Sequence, residues 1–196
     1  MEEGIGVKSL ATGAKMSLHN FAGLGRRAGN QPSHPSASRR VEITNTIALM
    51  TPTPDPLFAE RVRASFTRQN AMALIQATLP VIEHGRTEIH LPHWGGVEQQ
   101  HGFVHGGVVG MIADSAGGYA AMTMVPATAS VLTVEYKMNL VAPADGEMLI
   151  ARGQVVRSGR TLIVTQAEVF AVKDSHETLC ALMQQTIMVM HDKGEK

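Results

Sequence analysis

Between residues 108 and 134 the chain carries one formal charge, Asp114, in a stretch otherwise made of Val, Met, Ile, Ala, Gly, Ser, Thr, Tyr, Leu and a single Pro. No other feature limits the possible folds as strongly. A carboxylate alone among apolar neighbours is costly unless it is paired, hydrogen-bonded or put to chemical use. Just upstream stands His105-Gly106-Gly107. Two glycines at the start of a helix leave backbone N–H groups open to an incoming oxygen. A donor for an oxyanion and an acid in apolar surroundings are the parts needed to hydrolyse a carbonyl compound.

The apolar run 106–125 approaches the length of a membrane span. Asp114 and the glycines at 106, 107, 110, 117 and 118 place it inside a protein instead. A chain of 196 residues that is 44% hydrophobic suits one domain with its own core plus a tail. Seventeen basic and seventeen acidic residues cancel, so no overall field points to nucleic acid or to an anionic membrane surface. The single Cys180 excludes an intrachain disulfide framework, suits a reducing compartment, and is read as a small buried thiol in a strand. Met1-Glu2-Glu3 begins acidic with no apolar segment after it, so no secretory signal is expected. The expectation is a soluble, cytoplasmic protein.

Residues 1–50 are rich in Gly, Ser, Ala, Asn and Arg, include Pro32-Ser33-His34-Pro35-Ser36, and show no sustained apolar period. Such a composition buries too little surface to offset the entropy of ordering. A disordered N-terminal extension is expected there, with Met50 as the natural start. A transit peptide is the alternative, against which Glu2 and Glu3 weigh. One domain is expected over 51–192.

Within it, Asp55-Pro56 supplies a helix cap and a first-turn proline. Leu57, Val62, Phe66 and Ala73-Leu74 mark one or two short amphipathic helices reaching about Thr78. Strands are expected at 79–83 and 87–91 around His84-Gly85, then an irregular loop over 92–104. A long helix follows from Gly106 to about Met124, apolar on every side and so meant to be covered on every side, with Pro126 ending it. Residues 131–141 alternate, with Leu132, Val134, Tyr136, Met138 and Leu140 on one face and Thr133, Glu135, Lys137 and Asn139 on the other. Three more strands are expected at 148–156, 161–172 and 178–190. One buried helix followed by a four-strand antiparallel meander is an α+β plan in which the sheet wraps the helix.

Eight residues of helix separate Gly106 from Asp114 by about 12 Å. One substrate carbonyl cannot lie within hydrogen-bond reach of both on one chain. If both serve one reaction, Asp114 must come from a second subunit, and a two-fold homodimer supplies two composite sites.

The stretch His105-Gly-Gly-Val-Val-Gly-Met-Ile-Ala-Asp114-Ser-Ala-Gly-Gly-Tyr-Ala-Ala resembles the central helix of hotdog-fold thioesterases of the PaaI type. Val134-Glu-Tyr-Lys-Met-Asn-Leu-Val-Ala-Pro-Ala144, Arg157-Ser-Gly-Arg-Thr161 and Asp55-Pro-Leu-Phe-Ala-Glu-Arg-Val62 resemble the same family. The likeness spans about residues 50–190. It implies a hotdog fold, an acyl-CoA or aroyl-CoA substrate, and dimers pairing into a homotetramer. It also implies that the Gly106 N–H holds the thioester carbonyl and that Asp114 is general base on water or nucleophile. Gln99, six residues before His105, matches the Gln of the 4-hydroxybenzoyl-CoA branch, where the PaaI branch has Asn. The acid of that second branch is Glu, and here it is Asp. Thr133 falls where some relatives place a hydroxyl that orients the water, and Gly118 stands where the 4-hydroxybenzoyl branch has Thr. His105 is expected to orient the site through a hydrogen bond to backbone. Gly107 is expected to bind substrate, and Lys137, Ser158, Gly159 and Arg160 to lie near the coenzyme A phosphates. Coenzyme A enters as part of the substrate, so no separate cofactor is implied.

Two other activities are compatible with this fold. A hydratase or dehydratase wants a histidine shortly after the acid, and no His follows Asp114 until His176. A non-catalytic acyl-CoA sensor would need no acid in the helix. His84, His90, His93, His101 and His105 fall close together, and His101-x3-His105 has ligand-like spacing. Without a nearby Cys, and with Pro92 and glycines between them, no metal site is expected. Met111, Met122, Met124 and Met138 point to an adaptable apolar pocket.

Overall fold

The computed structural model describes residues 55–194; the expected N-terminal extension lies outside the described residues. Helix α1 (Phe58–Thr67) and helix α2 (Asn70–Leu74) lead into strands β1 (Thr78–Glu83) and β2 (Arg86–Pro92). A short 3-10 turn, Gly95–Val97, precedes helix α3 (Gly106–Met122). Strands β3 (Ser130–Leu140), β4 (Met148–Ser158), β5 (Leu162–Lys173) and β6 (His176–Met190) follow. Together they are the α+β hotdog arrangement, an antiparallel sheet curled about one long helix.

The strand order corrects the expected meander. It is β1-β2-β4-β5-β6-β3, antiparallel throughout. Of the four strands after α3, only β4, β5 and β6 are joined as consecutive hairpins. The β1–β2 hairpin occupies the free side of β4, in register from Arg86↔Gln154 to Pro92↔Met148. Strand β3 therefore crosses to the far edge beside β6.

A second correction concerns β3. Its register slips between Thr133 and Glu135, so Val134 is a bulge residue. An inserted residue reverses the alternation beyond it. Val131 and Thr133 pair with the buried Val189 and Ile187, while Tyr136, Met138 and Leu140 pair with the buried Gln185, Met183 and Ala181. Thr133 therefore shares the helix-facing side with Tyr136 instead of the solvent side with Lys137.

Helix α3 packs across the sheet. Val109, Ile112, Ala113 and Ala116 meet Ile89, Leu91, Leu149, Ala151, Ala167 and Val169 in one core. The approach is close because Gly153 has no side chain: a Cβ there would lie 2.3 Å from the Ala116 carbonyl. Beside it, the Thr87 hydroxyl donates to the Ala116 carbonyl at 2.6 Å. The helix is not covered on every side. Gly107 and Met111 are exposed and Asp114 and Gly118 half-buried, one stripe at helical spacing.

The helix ends were also expected slightly differently. Asp55 accepts the Leu57 N–H at 2.9 Å, and α1 begins only at Phe58, so Pro56 lies ahead of the helix. Val62 and Phe66 are buried as expected, whereas Leu57 and Leu74 are exposed and Met72 takes the inward place. Helix α3 stops at Met122, four residues before Pro126. Proline has no N–H to give the Met122 carbonyl. The Arg61 guanidinium binds that carbonyl at 3.0 Å and the Val125 carbonyl at 2.8 Å, and Asp55 holds Arg61 at 2.9 Å.

Candidate active site

Asp114 sits mid-helix on the uncovered stripe of α3. Its Oδ1 accepts the Thr133 hydroxyl at 2.8 Å and the Gln185 Nε2 at 2.7 Å. The same Nε2 donates to the Asp114 backbone carbonyl at 3.1 Å. Gln185 Oε1 in turn accepts the Thr165 hydroxyl at 2.9 Å. The bulge in β3 is what brings Thr133 to the carboxylate, and the cross-strand register Thr165↔Gln185 is what brings the threonine to the amide. Oδ2 receives no hydrogen bond from the described residues.

Asp114 and Thr133 border a depression of about 310 Å³ with Gly118, Met122, Val131 and Leu132. Ser65, Gln69 and Tyr119 also line it. A larger hollow, about 560 Å³, lies on the opposite face of the sheet among Arg86, Arg152, Gln154 and Glu168. That hollow touches neither Asp114 nor its hydrogen-bond partners, whereas the smaller one borders both Asp114 and Thr133.

His105 caps α3, its Nδ1 accepting the Gly107 N–H at 2.9 Å. The ring is a backbone-orienting group, and Gly107 spends its donor on it. The Gly106 N–H makes no hydrogen bond among the described residues, and it opens the helix where the dipole favours negative charge. It lies two helical turns from Asp114.

Gln99 is held in its own turn: its N–H bonds the Phe103 carbonyl and its Oε1 accepts the His101 N–H at 2.7 Å. Lys137 borders the outer hollow. Ser158 ends β4, and Gly159 and Arg160 lie in its connection to β5, where the Arg160 carbonyl meets His191 at 2.8 Å. Within one chain, Asp114 and Thr133 converge, whereas Gly106, Gln99, Lys137 and the 158–160 turn stand apart from them.

Gln185 was missed from sequence, although the signal was there. It falls in step with Ala181, Met183, Ile187 and Val189, a polar residue at a core-facing position of β6. The residue is 1% exposed. Cys180, in the same strand, is buried, and burial pushes its thiol up to about 11.

The histidines do not assemble. His93 bonds the Gly146 carbonyl and faces Glu98, His84 stacks edge-on against Phe58, and His105 caps the helix. Among the described residues, no group of three or more His, Cys, Asp or Glu is placed to hold a metal ion. Nor is any helix among them long and apolar enough to cross a membrane.

The thioesterase superfamily pattern matches residues 101–177, from the loop before α3 into β6. A Silicibacter pomeroyi thioesterase family protein of known structure is 42% identical, with a TM-score of 0.67, over 68% of this chain and 98% of that one. The Escherichia coli PaaI protein from the phenylacetic acid degradation operon is 16% identical with a TM-score of 0.62, covering 69% of this chain and 95% of that one, a likeness of fold alone. A Saccharolobus solfataricus protein named an esterase is 33% identical over 87 residues, 44% of this chain. The chain spans 61% of the length of that curated relative. With the helix, the sheet and the isolated acid in place, the chain belongs to the thioesterase superfamily and has its PaaI-type hotdog fold.

Proposed function

We propose that the protein hydrolyses an acyl-CoA or aroyl-CoA thioester to the free acid and coenzyme A, in a homodimer that assembles further to a homotetramer. The observation that carries this reading is the Asp114 carboxylate, anchored through Oδ1 alone at the edge of a depression lined by both polar and apolar side chains. As general base, Asp114 takes a proton from water while the water oxygen adds to the thioester carbon. The carbonyl π electrons move to its oxygen, where the Gly106 N–H and the start of α3 hold the charge. Collapse re-forms the carbonyl and expels the coenzyme A thiolate, which takes the proton from Asp114. As nucleophile, the carboxylate would add to the carbon itself and expel the coenzyme A thiolate, and water would then cleave the resulting anhydride to the free acid and the Asp114 carboxylate. Gln99 of the other subunit would bind the water, and Lys137, Ser158, Gly159 and Arg160 would meet the coenzyme A phosphates. A cytoplasmic setting suits the single buried thiol.

Two features support the dimer. The edge strand β3 leaves Leu132, Val134, Tyr136 and Leu140 about half exposed, at 50–56%. Such an edge is normally covered or paired. The stripe containing Asp114 on α3 is likewise bare of sheet. A second copy covering both would carry its own Gly106 toward this Asp114, as the ~12 Å separation along one helix requires.

The test is release of free thiol from a panel of acyl-CoA compounds, followed by Asp114→Asn on the best one. A fall in turnover of at least ~10² with an intact fold is expected, and retention of more than a third of the rate ends the assignment. Subunit mixing tests the shared site. Gly106→Pro removes the donor, and His105 at φ −60°, ψ 135° already has the backbone that precedes proline. Co-refolded with Asp114→Asn chains, it should restore about a quarter of wild-type activity, because half of randomly paired dimers are mixed and each has one intact site of two. An inactive mixture of confirmed heterodimers would show that the site is not shared.

A further inference from the structure

Gln185 is a polar side chain that no part of the mechanism above requires, yet it is 1% exposed and fully engaged. Burying an amide is costly unless each end finds a partner. Here the Nε2 end spans the Asp114 carboxylate and the Asp114 backbone carbonyl, and the Oε1 end takes the hydroxyl of Thr165, itself wholly buried. Turned by 180°, the amide would press Oε1 against two oxygens of Asp114, so chemistry selects the observed orientation. The pocket is cut to fit. A Cβ at Gly117 would lie 1.7 Å from Gln185 Oε1 and 2.8 Å from the Thr165 hydroxyl.

We propose that Gln185 is a positioning residue for catalysis: clamped by Thr165, it joins Thr133 in filling Oδ1 of Asp114, so that Oδ2 is the oxygen presented to water or substrate. The inference rests on the reading of Asp114 as the reacting carboxylate. A carboxylate free to rotate would offer either oxygen in many directions. Two donors on one oxygen, one of them also tied to the backbone of the same residue, leave a single arrangement. Pre-set geometry of this kind contributes to rate through orientation. Thr165 acts at one remove, by holding the amide the right way round.

Gln185→Met keeps the length of the side chain and removes both ends of the clamp. In the full-length enzyme kcat should fall roughly 10- to 100-fold, the loss expected for a hydrogen bond to a charged group, while KM stays within about twofold. Thr165→Val should reduce kcat by a smaller factor, and Thr165→Ser, which retains the hydroxyl, should restore it. The double variant Gln185→Met/Thr165→Val should be no slower than Gln185→Met alone, because one residue acts through the other.

A merely structural role would lower the melting temperature without this split between kcat and KM or this rescue. A second readout needs no activity. The Gln185 side-chain amide protons in nitrogen-15 spectra should exchange slowly with solvent, and their shifts should move in Asp114→Ala. Activity surviving in Asp114→Asn would sink the carboxylate's assigned role and leave the amide signals to judge the clamp. Three results would each overturn the proposal: kcat above half of wild type in Gln185→Met, a loss confined to KM, or amide protons exchanging like those of a surface glutamine. If Gln185→Met does not fold, Thr165→Val, Thr165→Ser and the amide signals decide the matter.

Discussion

Gly117→Ala adds one methyl group at the most tightly constrained point of the site. In an open helix the change would gain about 1 kcal/mol, since alanine favours the helix over glycine by that amount. Here the new Cβ would stand 1.7 Å from Gln185 Oε1 and 2.9 Å from its Cδ. Gln185 cannot retreat, because the Thr165 and Asp114 contacts hold both ends. Overpacking a core costs about 1–3 kcal/mol, and displacing the amide leaves a buried polar group unmade at about 1–3 kcal/mol more. Against the helix gain, the net is roughly 3 kcal/mol of destabilisation, or a fall in melting temperature on the order of 6–12 °C for a domain of this size. Gly118→Ala is the stability control, because a Cβ there meets nothing within 4 Å among the described residues. It should keep the wild-type melting temperature or exceed it slightly. The assay is thermal and urea unfolding of both variants, with kcat measured on the survivors. A Gly117→Ala protein as stable as Gly118→Ala and as active as wild type would refute the packing of Gln185 against the helix.

Arg61→Leu should cost roughly 2–3 kcal/mol in the urea midpoint, because the Met122 and Val125 carbonyls lose a charged donor. Acid should loosen the same corner. The Leu57 N–H, aided by Arg61, holds the Asp55 carboxyl below its ordinary value of 3.8 against the opposing effect of burial. A carboxyl depressed in the folded state stabilises fully above its ordinary value, and that stability drains away as pH falls through the lower folded value. Asp55→Asn should therefore flatten the acid limb of stability against pH, and an unchanged limb would remove Asp55 from the account. Cys180, raised to about 11 by burial, should stay silent to a thiol reagent near neutral pH until denaturant is added. Rapid labelling of the native protein would show the thiol reachable.

Much of this fold was legible because it is written in local periodicity. The run opened by Gly106 and Gly107 could be only a buried helix, and the apolar segments after it only strands, with observed bounds within a few residues of the expected ones. The rise of a helix alone separated Gly106 from Asp114, a distance that calls for a second subunit only if both serve one reaction. The order of the strands was not legible, because which edge β3 joins depends on whether the β1–β2 hairpin has already taken the side of β4, and that contest is between segments far apart in the chain. Helix α3 shows the same division. Its apolar residues marked it as buried, yet only the sheet's extent decided that its own chain leaves the stripe through Asp114 uncovered.

The acid was marked out by its isolation and Thr133 by the family resemblance, but the contacts that join them, and Gln185, were not. Strict alternation put Thr133 on one face with Glu135 and Lys137, and a single bulge residue, Val134, parts it from them and leaves it facing the carboxylate. Gln185 stood at an inward position of β6, but a period of two says only that a residue faces in, not what it meets there. The chain's own pattern determined its elements and singled out Asp114 as the candidate for chemistry. Tertiary pairing decided what holds that residue, because hydrogen-bond partners across a sheet are set by register, and register is a property of two strands at once.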